Sequence, residues 1–119
     1  VSLHTPLLPE TENMMNADTF SQMKDGAILI NTARGGLIDE EALIESLQSK
    51  KISAAGLDVL ADEANHNSKL ISMDNVIVTP HIGFLSTESL MVCRRVALEQ
   101  IVMCLSKGLK PEYSVNKQK

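Results

Sequence analysis

The feature that most constrains this fold is a set of short apolar runs separated by helix-start signals. Such runs occupy 27–31, 52–59 and 75–79, and Asp39 is a suitable N-cap for a helix over 40–50. The continuous apolar run at 27–31 is typical of a strand covered on both faces. Strands that alternate with helices form a parallel sheet with helices on both faces. The sequence therefore predicts a doubly wound α/β fold.

Capping and helix-breaking residues predict the other elements. Asn16 is suited to cap a short helix over 17–23, and Gly108 is suited to end a long helix over 86–107. Because the apolar positions of the long helix match helical spacing imperfectly, we expect it to be buried on more than one side. A strand end at 1–4 and a short helix near 68–73 complete the predicted order.

Length and charge exclude several classes of function. A chain of 119 residues forms at most one domain. Its net charge of −4 and its scattered basic residues disfavour nucleic acid as a partner, since phosphate contacts need clustered Lys and Arg. No run is long and apolar enough to span a membrane, and no secretory leader is visible. We therefore expect neither nucleic acid nor a membrane as a partner.

The two cysteines indicate a reducing compartment. Cys93 and Cys104 lie eleven residues apart in one predicted helix, which is about 16 Å along its axis. A disulfide requires Cα atoms within about 7 Å, so the pair is expected to be unbridged. Unpaired thiols suit the cytoplasm, and the apolar neighbours of these two indicate buried packing residues. The sequence therefore predicts a cytoplasmic protein.

An arginine, a glutamate and a histidine each follow a predicted strand. They are Arg34, Glu63 and His81. The carboxyl ends of parallel strands meet at one edge of a sheet, where ligands of such folds bind. A histidine transfers protons near neutral pH, a carboxylate orients it, and an arginine binds a substrate carboxylate. This combination suits oxidation of a 2-hydroxy acid with hydride transfer to a nicotinamide.

Each of these residues also has an ordinary structural interpretation. A histidine after Pro is often a structural hydrogen-bonding residue, and a glutamate in a polar loop is usually solvated. We interpret Gly35 and Gly36 as a turn rather than a phosphate loop, because the acidic residues that follow would repel phosphate. Residue pattern and position alone therefore leave the reaction open.

Four motifs together resemble one known family. They occur in the order HTPLLPET, INTARGGLIDEEAL, AAGLDV and TPHIG, and they resemble the C-terminal half of the nucleotide-binding domain of the D-2-hydroxyacid dehydrogenases. This family includes D-3-phosphoglycerate dehydrogenase, D-lactate dehydrogenase and glyoxylate/hydroxypyruvate reductase. The resemblance implies a partial Rossmann-type domain over 1–108 and a tail over 109–119. It also implies that the N-terminal half of the domain and the substrate domain lie outside this chain.

The same resemblance implies a catalytic set and a cofactor site. Arg34 is expected to bind the substrate carboxylate, His81 to act as acid and base, and Glu63 to orient His81. Family members usually carry Pro soon after this glutamate; here it is absent, and Asp62 is the nearest substitute. The cofactor is expected to be NAD, with NADP not excluded, and no metal ion is expected. The residues expected to face the cofactor are His4, Thr5, Pro6, Thr32, Ala33, Arg34, Asp58 and His81. For Asp58 the structural alternative is a buried aspartate at a strand end whose carboxylate binds a loop amide.

Three functions follow for such a chain. The leading one is part of an NAD(P)-dependent oxidoreductase that interconverts a small D-2-hydroxy acid and its 2-keto acid, a homodimer at full length. Because the GxGxxG fingerprint is absent, the isolated chain is expected to be inactive. The alternative is a nucleotide-sensing regulatory protein on this scaffold, since the residues after His81 resemble the C-terminal-binding-protein corepressors. A nonfunctional truncation is the third.

Overall fold

The first 83 residues form a parallel sheet with helices. The computed structural model describes residues 1–64 and 68–113, so the predicted tail at 109–119 lies partly outside the described residues. The chain divides into two compact units, Val1–Gly83 and a second that begins at Phe84. Four parallel strands of the first unit are neighbours in chain order: β1 (Ser2–Leu3), β2 (Ala27–Asn31), β3 (Ile52–Leu57) and β4 (Val76–Val78). The predicted parallel α/β architecture is therefore confirmed.

Two helices in this unit begin at the predicted caps. The Asn16 side chain accepts hydrogen bonds from the first turn of α1 (Ala17–Gln22), and Asp39 accepts from Ala42 N–H in α2 (Glu40–Gln48). α2 is shorter than the predicted range of 40–50, because the helix stops at Gln48 and Lys50 adopts a left-handed conformation with φ of 60°. A 3-10 helix over Lys69–Ser72 replaces the short helix predicted near 68–73.

The core of Val1–Gly83 lies on one face of the sheet. Both helices and the strands contribute to a single buried cluster that includes Phe20, Leu29, Leu43, Leu47, Ile52 and Leu70. On the opposite face Ile28 is 54% exposed and Ile77 is 72% exposed. The prediction that the 27–31 strand is covered on both faces is therefore wrong for the described residues of this unit. The outward side chains of this strand are apolar but stay exposed, because α1 and α2 both pack on the inward face of the sheet.

The second unit contains one helix, α3 (Thr87–Lys107), among its described residues. Ser86 caps its start, and Gly108 ends it in a left-handed conformation with φ of 62°. No residue of α3 is buried, so the predicted burial on more than one side is wrong for the described chain. The reason is that these residues form no second element of their own unit for α3 to pack against. No helix in the described residues is long and apolar enough to cross a membrane.

The two cysteines lie on α3. Both are free thiols, as predicted from their spacing. Cys93 is exposed and Cys104 is half-buried, so the predicted role as buried packing residues is wrong. The apolar neighbours in sequence that suggested burial are spread around a helix with no buried side.

Candidate active site

Strand register brings the three predicted catalytic segments to one edge of the sheet. Asn31 at the end of β2 pairs with Leu57 of β3, and Leu57 pairs with Val78 of β4. Because the strands are parallel, the chain leaves each of them in the same direction. The loops that carry Arg34, Glu63 and His81 therefore begin side by side at the carboxyl edge.

Asn31 holds the turn that carries Arg34. Its side chain is fully buried, accepts a hydrogen bond from Ala33 N–H at 3.0 Å and donates to the Arg34 carbonyl at 2.9 Å. Because both the N–H and the C=O group of this buried amide are hydrogen-bonded, the side chain favours one backbone conformation of the turn. Sequence reasoning missed this role, although an asparagine that ends an apolar strand is the signal that identifies it.

Arg34 lies in a groove separate from the other two catalytic candidates. Its guanidinium Nη1 donates to the Ala33 carbonyl at 2.6 Å, and the residue is exposed. The groove brings together six of the residues predicted to face the cofactor, with Leu7 beside them: His4, Thr5, Pro6, Thr32, Ala33 and Arg34. The structure therefore groups the carboxyl ends of β1 and β2 as one open surface.

Gly35 permits a close approach between two of these loops. It begins a 3-10 helix over Gly35–Leu37 and is buried. A Cβ atom at this position would overlap the carbonyl group of Leu60 and the nitrogen of Ala61. The predicted Gly-Gly turn is present, but the reason for its first glycine is backbone contact with the loop that carries Glu63, which the sequence did not indicate.

Glu63 and His81 are in direct contact. His81 Nδ1 lies 2.9 Å from Oε1 and 3.1 Å from Oε2 of Glu63. The two side chains remain 40% and 51% exposed for His81 and Glu63, respectively. Asp62, the substitute considered from the sequence, accepts a hydrogen bond from Ala64 N–H at 3.1 Å within its own loop. The structure thus pairs the imidazole with Glu63 and leaves Nε2 as the ring nitrogen on the far side.

The turn that carries His81 is held by a buried carboxylate. Asp58 is only 5% exposed and follows β3 directly. It accepts hydrogen bonds from the Thr79 hydroxyl, from Ile82 N–H at 2.9 Å and from Gly83 N–H at 2.7 Å. Sequence analysis placed Asp58 beside the cofactor, and that contact stays a prediction; in the structure its donors come from the His81 turn.

These contacts set the charge state of Asp58. Burial disfavours the ionised form, but the Thr79 hydroxyl, the two backbone N–H groups and the nearby His81 outweigh it and hold the pKa of Asp58 below its usual 3.8. A carboxylate with several donors is a strong acceptor. Asp58 is therefore an ionised anchor, and Thr79 is a second site residue that the sequence did not single out.

His81 occupies an uncommon backbone conformation. Its φ is 53°, in the left-handed region that non-glycine residues adopt rarely. Its N–H donates to the Asp58 and Thr79 carbonyls, both at 2.9 Å. Local strain of this kind persists when the surroundings fix it. The backbone hydrogen bonds to Asp58 and Thr79 and the side-chain contact with Glu63 together fix the orientation of the imidazole.

A cavity of about 290 Å³ adjoins the Glu63–His81 pair. Its wall combines the pair with apolar side chains from the end of β4 and the loop before it: Leu60, Ile71, Val78 and Pro80, with Asp58 and Thr79. An apolar pocket with a few convergent polar groups is the usual form of a small-molecule site. The described residues hold no group of three or more side chains that could bind a metal ion.

Comparison with known proteins decides the family. A family model described as "D-isomer specific 2-hydroxyacid dehydrogenase, NAD binding domain" matches residues 1–83. The chain belongs to this family. Hydroxypyruvate reductase of Thermotoga maritima is 48% identical over 85% of the chain, and D-3-phosphoglycerate dehydrogenase of Synechocystis sp. is 42% identical over 98% of it. The resemblance found in the four motifs is therefore confirmed.

Solved structures extend the match to three dimensions. The D-isomer-specific 2-hydroxyacid dehydrogenase of Lactobacillus delbrueckii ssp. bulgaricus, in its NAD-complexed form, superposes with a TM-score of 0.86 at 39% identity and covers 97% of this chain. The predicted Rossmann-type fold class is confirmed. The chain spans 39% of that structure, 33% of the hydroxypyruvate reductase and 21% of the phosphoglycerate dehydrogenase.

The residues of this dehydrogenase-family chain fit one side of a dinucleotide site. The groove beside Arg34 is open and lies at the carboxyl edge of parallel strands, where dinucleotides bind in folds of this kind. Its lining includes Thr5 and Thr32, whose hydroxyls suit ribose and amide groups. The chain has no GxGxxG fingerprint, so it supplies no pyrophosphate loop of that kind.

Proposed function

We propose that the protein to which this chain contributes is an NAD(P)-dependent oxidoreductase that interconverts a small D-2-hydroxy acid and its 2-keto acid. The observation that carries the proposal is the contact between Glu63 and His81 at the carboxyl edge of the sheet, at 2.9 Å. Family membership over residues 1–83 supports it. A carboxylate hydrogen-bonded to an imidazole orients the ring and stabilises its protonated form, which suits the ring for proton transfer.

His81 is the acid and base of this proposal. Glu63 holds Nδ1, so Nε2 faces the substrate and takes the proton of its hydroxyl group as the C2–O bond becomes a carbonyl. The hydrogen on C2 leaves with its electron pair. When bound, the nicotinamide ring supplies the acceptor for that hydride. In the reverse direction the imidazolium returns its proton to the developing alkoxide.

Arg34 and Glu63 have supporting roles. The guanidinium of Arg34 is exposed and is assigned to the substrate carboxylate, for which its paired N–H donors are suited. In the described structure it donates to the Ala33 carbonyl, so the proposal requires a rotation of the side chain toward the cavity. Glu63 stabilises the imidazolium that forms when the hydroxyl proton is removed.

The cofactor and the cellular setting are also part of the proposal. NAD is the proposed cofactor, with NADP not excluded, and His4, Thr5, Pro6, Thr32, Ala33 and Asp58 are proposed to face it together with Arg34 and His81. We propose a cytoplasmic homodimer at full length. The 119 residues alone are proposed to be inactive, because they carry no pyrophosphate-binding fingerprint.

The test is a nicotinamide turnover assay on the full-length gene product. Glyoxylate, hydroxypyruvate, pyruvate and 3-phosphohydroxypyruvate are offered as substrates with NADH or NADPH. H81A is expected to lower kcat by about 10²- to 10⁴-fold, as loss of a general acid does, and E63Q by less. E41Q, an exposed change on α2, is the control and is expected to leave turnover unchanged. Cofactor binding without turnover of any acid would favour the nucleotide-sensing alternative instead.

A further inference from the structure

We propose that Glu40 is a positioning residue for the loop that carries Glu63. The inference rests on the proposed function, because it assigns Glu40 to the alignment of the Glu63–His81 pair. Glu40 is the first residue of α2, and its Oε1 accepts a hydrogen bond from Ala61 N–H at 2.7 Å. Ala61 lies two residues before Glu63 in the sequence.

One peptide group of the loop is held from two sides. Glu40 takes the N–H of the Leu60–Ala61 peptide, and the Cα of Gly35 packs against the carbonyl of the same peptide so closely that no Cβ fits there. Glu40 and Gly35 both belong to the segment that follows Arg34. This peptide is therefore the point at which the Arg34 segment sets the position of the Glu63 loop.

Among the described residues of this loop, few other contacts hold the backbone. Beyond Ala61 the described residues to Ala64 are exposed, and Asp62 accepts a hydrogen bond from the nearby Ala64 N–H. The carboxylate of Glu63 contacts His81 but is half exposed. A loop of this kind keeps its direction only where its backbone is tied down. The contact with Glu40 supplies that tie.

An acidic residue in the first turn of a helix commonly stabilises the helix itself, and Glu41 serves as the control for that effect. Both glutamates lie in the first turn of α2, where a negative charge stabilises the helix dipole. Asp39, not Glu40, caps the helix through Ala42 N–H. Glu41 is exposed, whereas Glu40 is half-buried against the loop. E41A therefore removes the same helix charge and leaves the bond to Ala61 in place.

The first experiment measures amide hydrogen exchange in the full-length protein by NMR. In E40A, exchange at Ala61 is expected to accelerate about tenfold, because its N–H loses its acceptor. In E41A it is expected to stay at the wild-type rate. E40Q keeps an oxygen acceptor and is expected to be intermediate, which guards against failure of E40A to fold. Equal exchange at Ala61 in all variants, or equal acceleration in E40A and E41A, would overturn the proposal.

The second experiment is a double-mutant cycle on turnover of the full-length protein. E40A is expected to lower kcat about fivefold with little change in KM, because it misaligns Glu63 without touching substrate. In an E63Q background the same change is expected to have no further effect, since its partner is already lost. An undiminished loss in that background would contradict the proposal. Absence of turnover in the wild type would instead refute the proposed function, while the exchange result would still decide the role of Glu40.

Discussion

The two halves of the Glu63–His81 pair are held in different ways. His81 lies three residues past β4, and its turn is fastened from inside the molecule by the buried carboxylate of Asp58. Glu63 lies six residues past β3 in an exposed loop. At the start of this loop, Ala61 N–H donates a hydrogen bond to Glu40 of α2 at the surface. The group that is to move a proton is fixed by a buried charge, and the group that orients it is fixed by a surface contact. We therefore expect mutations that remove the support of His81 to destabilise the protein more than mutations that remove the support of Glu63.

The difference follows from how much water reaches each anchor. Asp58 is 5% exposed, so its charge is stabilised by protein donors in place of water. The bond between Glu40 and Ala61 is exposed, so water competes for both partners. Loss of an anchor is costly when it leaves buried groups unsatisfied and modest when solvent replaces it.

The largest expected effect comes from D58A. This change leaves the Thr79 hydroxyl and the N–H groups of Ile82 and Gly83 without their acceptor. We expect the free energy of unfolding of the chain to fall by about 3 kcal/mol. Urea unfolding followed by circular dichroism measures this. A loss below about 0.5 kcal/mol would show that Asp58 does not anchor the turn.

A smaller effect is expected at the Glu63 side from G35A. The new Cβ would meet the backbone of Leu60 and Ala61, which cannot move without displacing the loop. We expect a loss of about 2 kcal/mol, typical of overpacking. The control is G36A, whose Cβ would meet the side chain of Leu7 at 2.9 Å. That side chain is exposed and flexible, so G36A is expected to cost clearly less in the same unfolding measurement. If G35A and G36A lowered the free energy of unfolding equally, the backbone contact at Gly35 would not be more rigid than the side-chain contact at Gly36.

The smallest expected effect is on acid stability. Because the pKa of Asp58 is lower in the folded chain than its usual 3.8, its ionised form adds stability above about pH 4, and this is lost as the pH falls through the lower, folded value. Asp25 and Glu88 have lowered pKa values as well, through Lys51 and through groups at the start of α3, so the effect of Asp58 is one among several. Unfolding free energies measured from pH 3 to pH 7 are expected to rise less steeply in D58N. A slope unchanged by D58N would indicate that Asp58 titrates normally.

Much of the fold was predictable because its signals are local. Caps such as Asn16 and Asp39 satisfy backbone N–H groups within three residues, so the sequence alone indicates where their helices begin. Apolar runs likewise predicted strands at 27–31 and 52–59, and the structure has them at Ala27–Asn31 and Ile52–Leu57. The exposed outer face of the sheet and the exposed surface of α3 were not predictable, because burial depends on which elements pack there and not on the apolar character of a side chain.

The catalytic candidates could be identified from sequence motifs, but their supports could not. Arg34, Glu63 and His81 stand in recognisable segments, whereas Glu40, Thr79 and Gly35 act across 21 to 25 residues of chain. Their contacts exist only because β2, β3 and β4 are parallel and in register. By itself the sequence determined the family, the order of elements and the residues with the right chemistry. Only the tertiary structure decided which backbone groups Asp58 and Glu40 hold, since a hydrogen bond depends on the distance between atoms and not on their separation along the chain.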